Sequence, residues 1–468
     1  MEHFLLYDFQ AETGVNQDVF AFSNRLGNFG EGRALVVYHN RYAETAGWIH
    51  LSCPVSLQSG EGRSLVRRSL GEGLGLANQE NAYCIFRDHL SGLEYLRRCR
   101  ELHHRGLYVQ LRAYEAQVFL DFREVPDGPD RPYAALSDYL NGRGVPDMEA
   151  ALQEILLRPV QQPLRTLINA ATFGRLMELR RGDLKERRSG LPASDLSEAI
   201  DLLSRSVKDF SGATGDAQAL AAELKDKLLA CLDLPSLETL LPRDKENRAL
   251  GRELRLLLQG GAEKRSPWTL DGEPFTWATL LGWLFVHALG SVSGPGQRAQ
   301  QSRSWIDEWL LGKLLLSTFE EQGLSAEEQH GALTLIKICT SHQRWFDPPP
   351  TEGAPPKAAP AAPQDQPEKD PAAESARVLR TLLSDTEVQE YLRVNRYQGN
   401  LWFHDESLDR MLAGLHLVGA VDALSTASED PARCARLIRA RRTILDRIHR
   451  AKESSKYQVE GLLTALSG

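Results

Sequence analysis

The hydrophobic period of this chain changes once, near Pro126, and that change limits the available folds more than any other feature. Residues 18–125 hold five runs rich in β-branched and aromatic side chains, punctuated by Gly and Asn: Asp18–Asn24 (DVFAFSN), Ala34–Asn40 (ALVVYHN), Asn81–Arg87 (NAYCIFR), Leu107–Tyr114 (LYVQLRAY) and Gln117–Val125 (QVFLDFREV). Such runs read as strands. In the last two, Leu107, Val109 and Leu111 share one face and Val118, Leu120 and Phe122 another, and the short gap between them predicts a hairpin. The stretch from Gln58 to Asn78, dotted with Gly60, Gly62, Gly71, Gly73 and Gly75, reads as a long loop between strands.

From Asp147 to Thr340 the apolar residues recur at helical spacing. Asp147 caps a helix through Met148, Leu152 and Ile155 that Pro159 should end, and Pro163 should open the next. Asp195 with Glu198, and Ser325 with Glu328, have capping-box spacing. Strands first and helices afterwards is the order of an α+β protein. A (β/α)₈ barrel needs about 250 residues of alternating strand and helix, and no stretch here supplies them.

A second boundary is compositional. Pro348 to Pro371 reads PPPTEGAPPKAAPAAPQDQPEKDP, too poor in large apolar groups to fold, so it predicts a semi-stiff polyproline-like tether. Helices are expected beyond it near Ala373–Leu392, Glu406–Leu424 and Pro431–Lys452. The expected organisation is therefore an antiparallel β-sandwich over 1–125, a helical domain over 126–347, a Pro/Ala-rich linker over 348–371 and a small helical bundle over 372–468.

At 468 residues the chain has room for about three domains. Its 42% hydrophobic and 25% charged content is that of a folded soluble protein, and its net charge of −8 offers no general attraction to nucleic acid or anionic membrane. The six cysteines are scattered with no C-x-x-C pair, and the N-terminus lacks a basic region followed by an apolar run; both point to a cytoplasmic protein. Phe275–Leu289 is the most apolar run, but its 15 residues fall short of the about 20 a membrane span requires, so it reads as a buried core helix with His287 as a core histidine.

Several groupings resemble sites and have structural explanations. Trp305 and Trp309 lie one helical turn apart, a spacing for core packing before sugar stacking. Cys99, His103 and His104 offer two metal ligands on a turn with no third or fourth, and Gly71-Glu72-Gly73-Leu74-Gly75 lacks both dinucleotide and phosphate-loop spacing. The arginines of the last helix (Arg433, Arg436, Arg439, Arg441, Arg442, Arg447, Arg450) read as a solvated face opposite an aliphatic stripe. In His404-Asp405-Glu406 the acids fit a helix start with Asp405 as N-cap, and Asp121 and Glu124 fit surface charge at a strand end. No residue is assigned as catalytic or metal-binding, and no cofactor is called for.

One set of runs goes further: NQDVFAFSNR from Asn16, ALVVYHN from Ala34 and YAETAGWI from Tyr42, followed by LRAYEAQVFL from Leu111. Over about residues 4 to 125 these resemble the β-sandwich domain that follows the catalytic barrel in large multidomain bacterial relatives of α-amylase, in glycoside hydrolase family 13. The helical part resembles the C-terminal extension of the same proteins. In that family the catalytic carboxylates sit on a (β/α)₈ barrel. This chain has no such stretch, so none is carried over, and His404-Asp405 only echoes a family active-site pair. The resemblance implies an accessory part of an α-glucan-processing protein. Its partner would be an α-amylase-like catalytic barrel, present as a separate chain or as a missing N-terminal part, with α-glucan as a further ligand. Trp48, Tyr38 and Tyr42 are the aromatics to test for sugar stacking. The other reading is a non-catalytic helical interaction scaffold, in which the tethered 372–468 bundle captures a protein partner.

Overall fold

The computed structural model describes residues 3–26, 32–59, 62–184, 187, 195–260, 270–294, 296–347 and 370–467. The Pro/Ala-rich segment lies outside them apart from its last two residues, Asp370 and Pro371. The chain divides into two compact units, Met1–Arg158 and Pro159–Gly468. This differs from the four-part division read from the sequence: the first boundary moves from 125 to 158, and the helices after the linker belong to the same unit as those before it.

The first unit is built on strands β1 (Leu5–Ala11), β2 (Gly14–Val15), β3 (Val19–Asn24), β4 (Ala34–His39), β5 (Thr45–Ser52), β6 (Val55–Ser59), β7 (Gly62–Val66), β8 (Ala82–Asp88), β9 (Glu94–Arg98), β10 (Leu107–Leu111) and β11 (Ala116–Pro126). Nine of them form one antiparallel sheet in the order β10-β5-β1-β3-β4-β11-β8-β9, with β2 on β1, while β6 and β7 make a separate ribbon. The expected antiparallel β-region ahead of the helices is present, but as a single curled sheet rather than two facing ones. The expected β10–β11 hairpin does not form: β10 pairs only with β5, and β11 pairs with β4 and β8.

That pairing forces the curl. β10 and β11 lie five strand spacings apart in the sheet, about 24 Å if it were flat at roughly 4.8 Å each. The chain between Leu111 and Ala116 spans at most about 17 Å. Only a half-barrel brings the two ends together, and the Gln117 Nε2 donates to the Gln110 carbonyl at 3.2 Å across the gap.

The inside of the half-barrel is filled by alternate residues: Leu5, Tyr7 and Phe9 of β1, Leu35 and Val37 of β4, Ile49 of β5, and Leu107, Val109 and Leu111 of β10. In β11 the inward residues are Phe119 and Phe122, whereas Val118 and Leu120 are half-exposed, contrary to the simple alternation expected. A register shift between Leu120 and Arg123, with Asp121 at φ 56°, inserts one residue and reverses the phase. Two short helices, α1 (Leu70–Leu74) and α2 (Cys99–His104), add Leu70, Leu74, Cys99 and Leu102 to the same core.

Helix α1 occupies part of the stretch read as a loop. Ser69 and Glu72 form a capping box, and Gly73 lets the Tyr7 hydroxyl approach to where a Cβ would stand 1.9 Å from it. On the outer side of β8 and β9, helix α3 (Pro132–Leu140) packs Leu136 and Leu140 on Tyr83, Ile85 and Leu96.

Helix α4 (Met148–Leu167) begins where Asp147 Oδ1 accepts from the Glu149 and Ala150 amides, as expected. It then runs through Pro159 and Pro163 without a break. Each proline removes a ladder bond at a cost of about 3 kcal/mol, offset here because Val160, Leu164 and Leu167 are fully buried.

The second unit continues with α5 (Ala170–Leu179), α6 (Asp195–Ser211), α7 (Ala217–Asp233), α8 (Leu237–Leu240), α9 (Lys245–Gln259), α10 (Glu273–Val286), α11 (Arg298–Glu308), α12 (Leu311–Glu321) and α13 (Ala326–Ser341). After the linker come α14 (Pro371–Leu383), α15 (Thr386–Tyr391), a small hairpin of β12 (Asn395–Tyr397) and β13 (Asn400–Trp402), α16 (Asp405–Thr426), α17 (Pro431–Ser454) and α18 (Val459–Ser467). The Ser325–Glu328 capping box forms. Asp195 instead holds Arg175 through two bonds of 2.8 and 2.7 Å. Glu273–Ser293 is apolar and long enough to span a membrane, and 94% of its most apolar 18-residue stretch is buried inside this unit.

The turn from α2 into β10 directs β10 onto β5, and Gly106 makes it possible. Its φ is +81°, and a Cβ there would lie 2.0 Å from the Ile49 carbonyl oxygen of β5. Gly106→Ala should therefore cost well over 2 kcal/mol, against about 1 kcal/mol for Gly92→Ala, where φ is +73° and nothing lies within 4 Å. Urea unfolding of both variants checks the difference.

Candidate functional site

The outer face of the half-barrel is the first candidate. Registers Leu6↔Phe22, Phe22↔Val36 and Val36↔Val118 lay an unbroken apolar row across β1, β3, β4 and β11. Phe20 and Tyr38 face each other in the next row, and Phe4 packs on Phe22 at 5.3 Å between ring centroids. Leu6 is 49% and Phe20 53% exposed, and the Leu6–Phe22–Val36–Val118 row carries no charged side chain, whereas the outward-facing β1 residue on the Phe20 side of Leu6 is Asp8, paired with Arg67 at 3.4 Å. Alternation with a buried inner face would ordinarily put polar residues here. Contiguous apolar surface of this kind is uncommon on a soluble unit.

The three aromatics singled out from the sequence do not form one platform. Trp48 and Tyr38 both point outward, but β1 and β3 separate their strands. Trp48 is also already occupied: the Arg105 guanidinium lies 4.8 Å from its ring centroid and Tyr108 packs at 5.3 Å. Tyr42 sits in the turn after β4, and its neighbour is Tyr114, in the turn between β10 and β11, at 6.3 Å and 41° between the rings. Tyr114 lies 72 positions from Tyr42 in the sequence, and the antiparallel pairing of β4 with β11, Tyr38 opposite Ala116, sets their turns side by side.

These turns are held firmly. The Tyr114 amide donates to the Arg41 carbonyl at 3.2 Å, the His39 amide to the Glu115 carbonyl at 2.9 Å, and His39 Nδ1 lies 3.1 Å from the Arg112 carbonyl. Arg41 pairs with Asp18 at 2.9 Å. Tyr114 has φ 57°, a conformation that costs a residue with a Cβ about 1 kcal/mol and that glycine would adopt freely.

The second candidate is a buried polar cluster in the helical unit. Lys227 of α7, only 6% exposed, donates to His287 Nε2 at 3.1 Å and pairs with Glu223 at 2.9 Å and Asp422 of α16 at 3.6 Å. Arg298 grips both oxygens of Glu223 and donates to Gln343, whose amide donates to the His287 carbonyl. Arg441 of α17 binds the Gly419 carbonyl and Asp422, with Phe346 against its guanidinium.

His287 Nδ1 faces the Trp283 and Leu284 carbonyls, so it carries the proton and Nε2 accepts from Lys227. Burial, and then the Lys227 charge, push His287 down to about 4. Burial alone would raise Glu223, but His287, Lys227 and Arg298 outweigh it and hold its carboxyl well below the usual range. With its partners supplied by the protein itself, this cluster fastens helices together.

The remaining sequence candidates take structural roles. Trp305 and Trp309 stack at 4.0 Å and are 4% and 6% exposed, so no sugar reaches them. Cys99 is fully buried, and His103 is engaged by Ser69 Oγ at 3.4 Å and the Leu76 carbonyl at 2.9 Å. Among the described residues no three His, Cys, Asp or Glu side chains are placed to hold a metal ion.

Glu124 accepts from Arg33 at 2.8 Å and from the Ala77 amide at 2.7 Å, an internal tie rather than free surface charge. The N-cap of α16 is His404 rather than Asp405, with Nδ1 3.1 Å from Ser407 Oγ, and Asp405 and Glu406 fall in the first turn. The α17 arginines are not all a solvated face: Arg441 is buried, and Arg442 binds Glu253 of α9 at 2.8 Å.

No family model, no curated protein and no solved structure matches this chain.

The cluster makes the helical unit acid-sensitive. The unfolded chain protonates His287 near 6.5 and the folded chain only near 4; buried His416 behaves alike, pushed down by burial to about 3. Unfolding therefore takes up protons in this window, so stability is full above pH 6.5 and falls as pH drops toward 4, by about 3 kcal/mol for His287 alone. Urea midpoints read by tryptophan fluorescence should fall steeply between pH 6.5 and 4, and His287→Gln should remove about one proton from that slope.

Proposed function

We propose that this chain is an accessory part of an α-amylase-like, α-glucan-processing protein, with the outer face of its half-barrel docked on a catalytic barrel. The observation that carries this reading is the uninterrupted apolar row Leu6, Phe22, Val36 and Val118 with Phe20 and Tyr38 beside it, left uncovered on a sheet whose other face is already filled. The resemblance of the NQDVFAFSNR, ALVVYHN and YAETAGWI runs to the domain that follows such barrels supplies the kind of partner. A neutral row of Leu, Phe and Val suits an apolar protein surface better than a charged ligand.

The interaction-scaffold reading has less support. It relies on a tethered bundle free to capture a partner, yet α14 to α17 spend their charged and aromatic contacts inside their own unit. Glu387 binds Arg303 twice at 2.8 Å, Asp385 lies 2.9 Å from His342, Arg410 pairs with Asp271 at 2.8 Å, and Trp345 Nε1 donates to the Leu415 carbonyl at 3.3 Å.

The test uses the purified full chain and the α-amylase-type barrel encoded nearest to it in the source genome. Sedimentation velocity should show an equimolar complex, lost in the Leu6→Glu, Phe22→Glu double variant while its circular dichroism and thermal midpoint stay within the wild-type range. No complex, or a complex indifferent to this double variant, overturns the docking face.

A further inference from the structure

We propose that Tyr42 and Tyr114 form a carbohydrate clamp at the end of the half-barrel, taking two consecutive sugars of an α-1,4-linked glucan. The naming of α-glucan as the natural ligand rests on the accessory reading above.

Three observations carry it. First, the rings are available: Tyr42 is 84% and Tyr114 57% exposed, whereas the Trp48 ring already has the Arg105 guanidinium at 4.8 Å and Tyr108 at 5.3 Å. A sugar presents a face of C–H groups that packs on an uncovered aromatic face, so free rings matter more than ring size. Second, the pair is preorganised. Two turns from distant parts of the chain are joined through the Tyr114 amide and the Arg41 carbonyl, and each is tied to β4 or to Asp18, so the backbone that carries the rings is ordered before a ligand arrives. Tyr114 holds a left-handed conformation in which glycine would be at ease, so the turn retains a ring at a conformational cost.

Third, the rings are inclined by 41° at 6.3 Å. Successive sugars of an α-1,4-glucan turn steadily in one direction and offer faces inclined to one another. Those of a β-1,4-glucan alternate in a flat ribbon, which suits coplanar rings. Asp18 and Arg41, both exposed beside the clamp, supply the planar polar groups that sugar hydroxyls bind.

The experiment is calorimetric titration of the full chain with maltoheptaose and, separately, cellohexaose. Maltoheptaose should bind, and affinity should fall roughly tenfold or more in Tyr42→Ala and in Tyr114→Gly, the latter removing the ring while relieving the backbone. Trp48→Phe should leave binding unchanged. Failure of the wild-type chain to bind maltoheptaose, or binding that survives both tyrosine variants, overturns the clamp, and equal binding of cellohexaose overturns its assignment to α-linked chains. The Leu6→Glu, Phe22→Glu variant should bind maltoheptaose normally. Loss of barrel docking and loss of sugar binding are thus read separately, and either reading can fail alone.

Discussion

Much of the first unit follows from one short connection. Because only four residues join β10 to β11, and because β10 hydrogen-bonds to β5 rather than to its neighbour in sequence, the sheet has to curl until its edge meets its middle. The curl gives the sheet an inside, which Leu5, Phe9, Leu35, Val37, Ile49 and Phe119 fill together with α1 and α2. It also gives it a convex outside, where Phe20, Phe22 and Tyr38 remain at the surface. The turns after β4 and before β11 lie side by side because those two strands pair antiparallel, which is how Tyr42 and Tyr114 meet. The filled core and the apolar outer face are two consequences of one constraint.

The helical unit depends on a different kind of interaction. Its central helix α10 is apolar on every side, so apolar packing alone would leave the rotation and register of its neighbours loosely specified. Lys227, His287, Glu223, Arg298 and Asp422 add directional bonds at that centre. The desolvation of each charge is compensated only when all partners are in place. Because Asp422 and Arg441 come from beyond the Pro/Ala-rich segment, the cluster also joins the helices on either side of it into one unit. A neutral His287 suits this arrangement, since three cations already share two carboxylates there.

Local rules reached some features and not others. The strands around Val19–Asn24, Ala34–His39 and Ala82–Asp88, the Ser325–Glu328 capping box and the fully buried α10 were legible because propensity, alternation and capping chemistry act within a few residues. The β10–β11 hairpin was misread because a short gap between two strands favours a hairpin only when nothing else competes for the edge, and β5 does. Pro159 and Pro163 punctuate a sequence yet sit inside α4, because Val160, Leu164 and Leu167 have tertiary partners that outweigh two lost backbone bonds. The arginine face of α17 looked solvated because Glu253 and Asp422, which bind Arg442 and Arg441, are remote in sequence.

The same division holds for the candidate sites. By itself the sequence determined the class of the protein: an antiparallel β-region followed by helices, with no alternating barrel. It also placed aromatic residues at Tyr38, Tyr42 and Trp48. Hydrophobic period and composition are properties of neighbouring residues, and they survive without knowledge of the fold. Only the tertiary structure decided which aromatic is free. It covered Trp48 with Arg105 and Tyr108, set Tyr42 beside a tyrosine 72 positions away, and buried Trp305 and Trp309 against each other. Exposure and pairing depend on what the rest of the chain brings to a residue, and that is settled by strand order and helix packing.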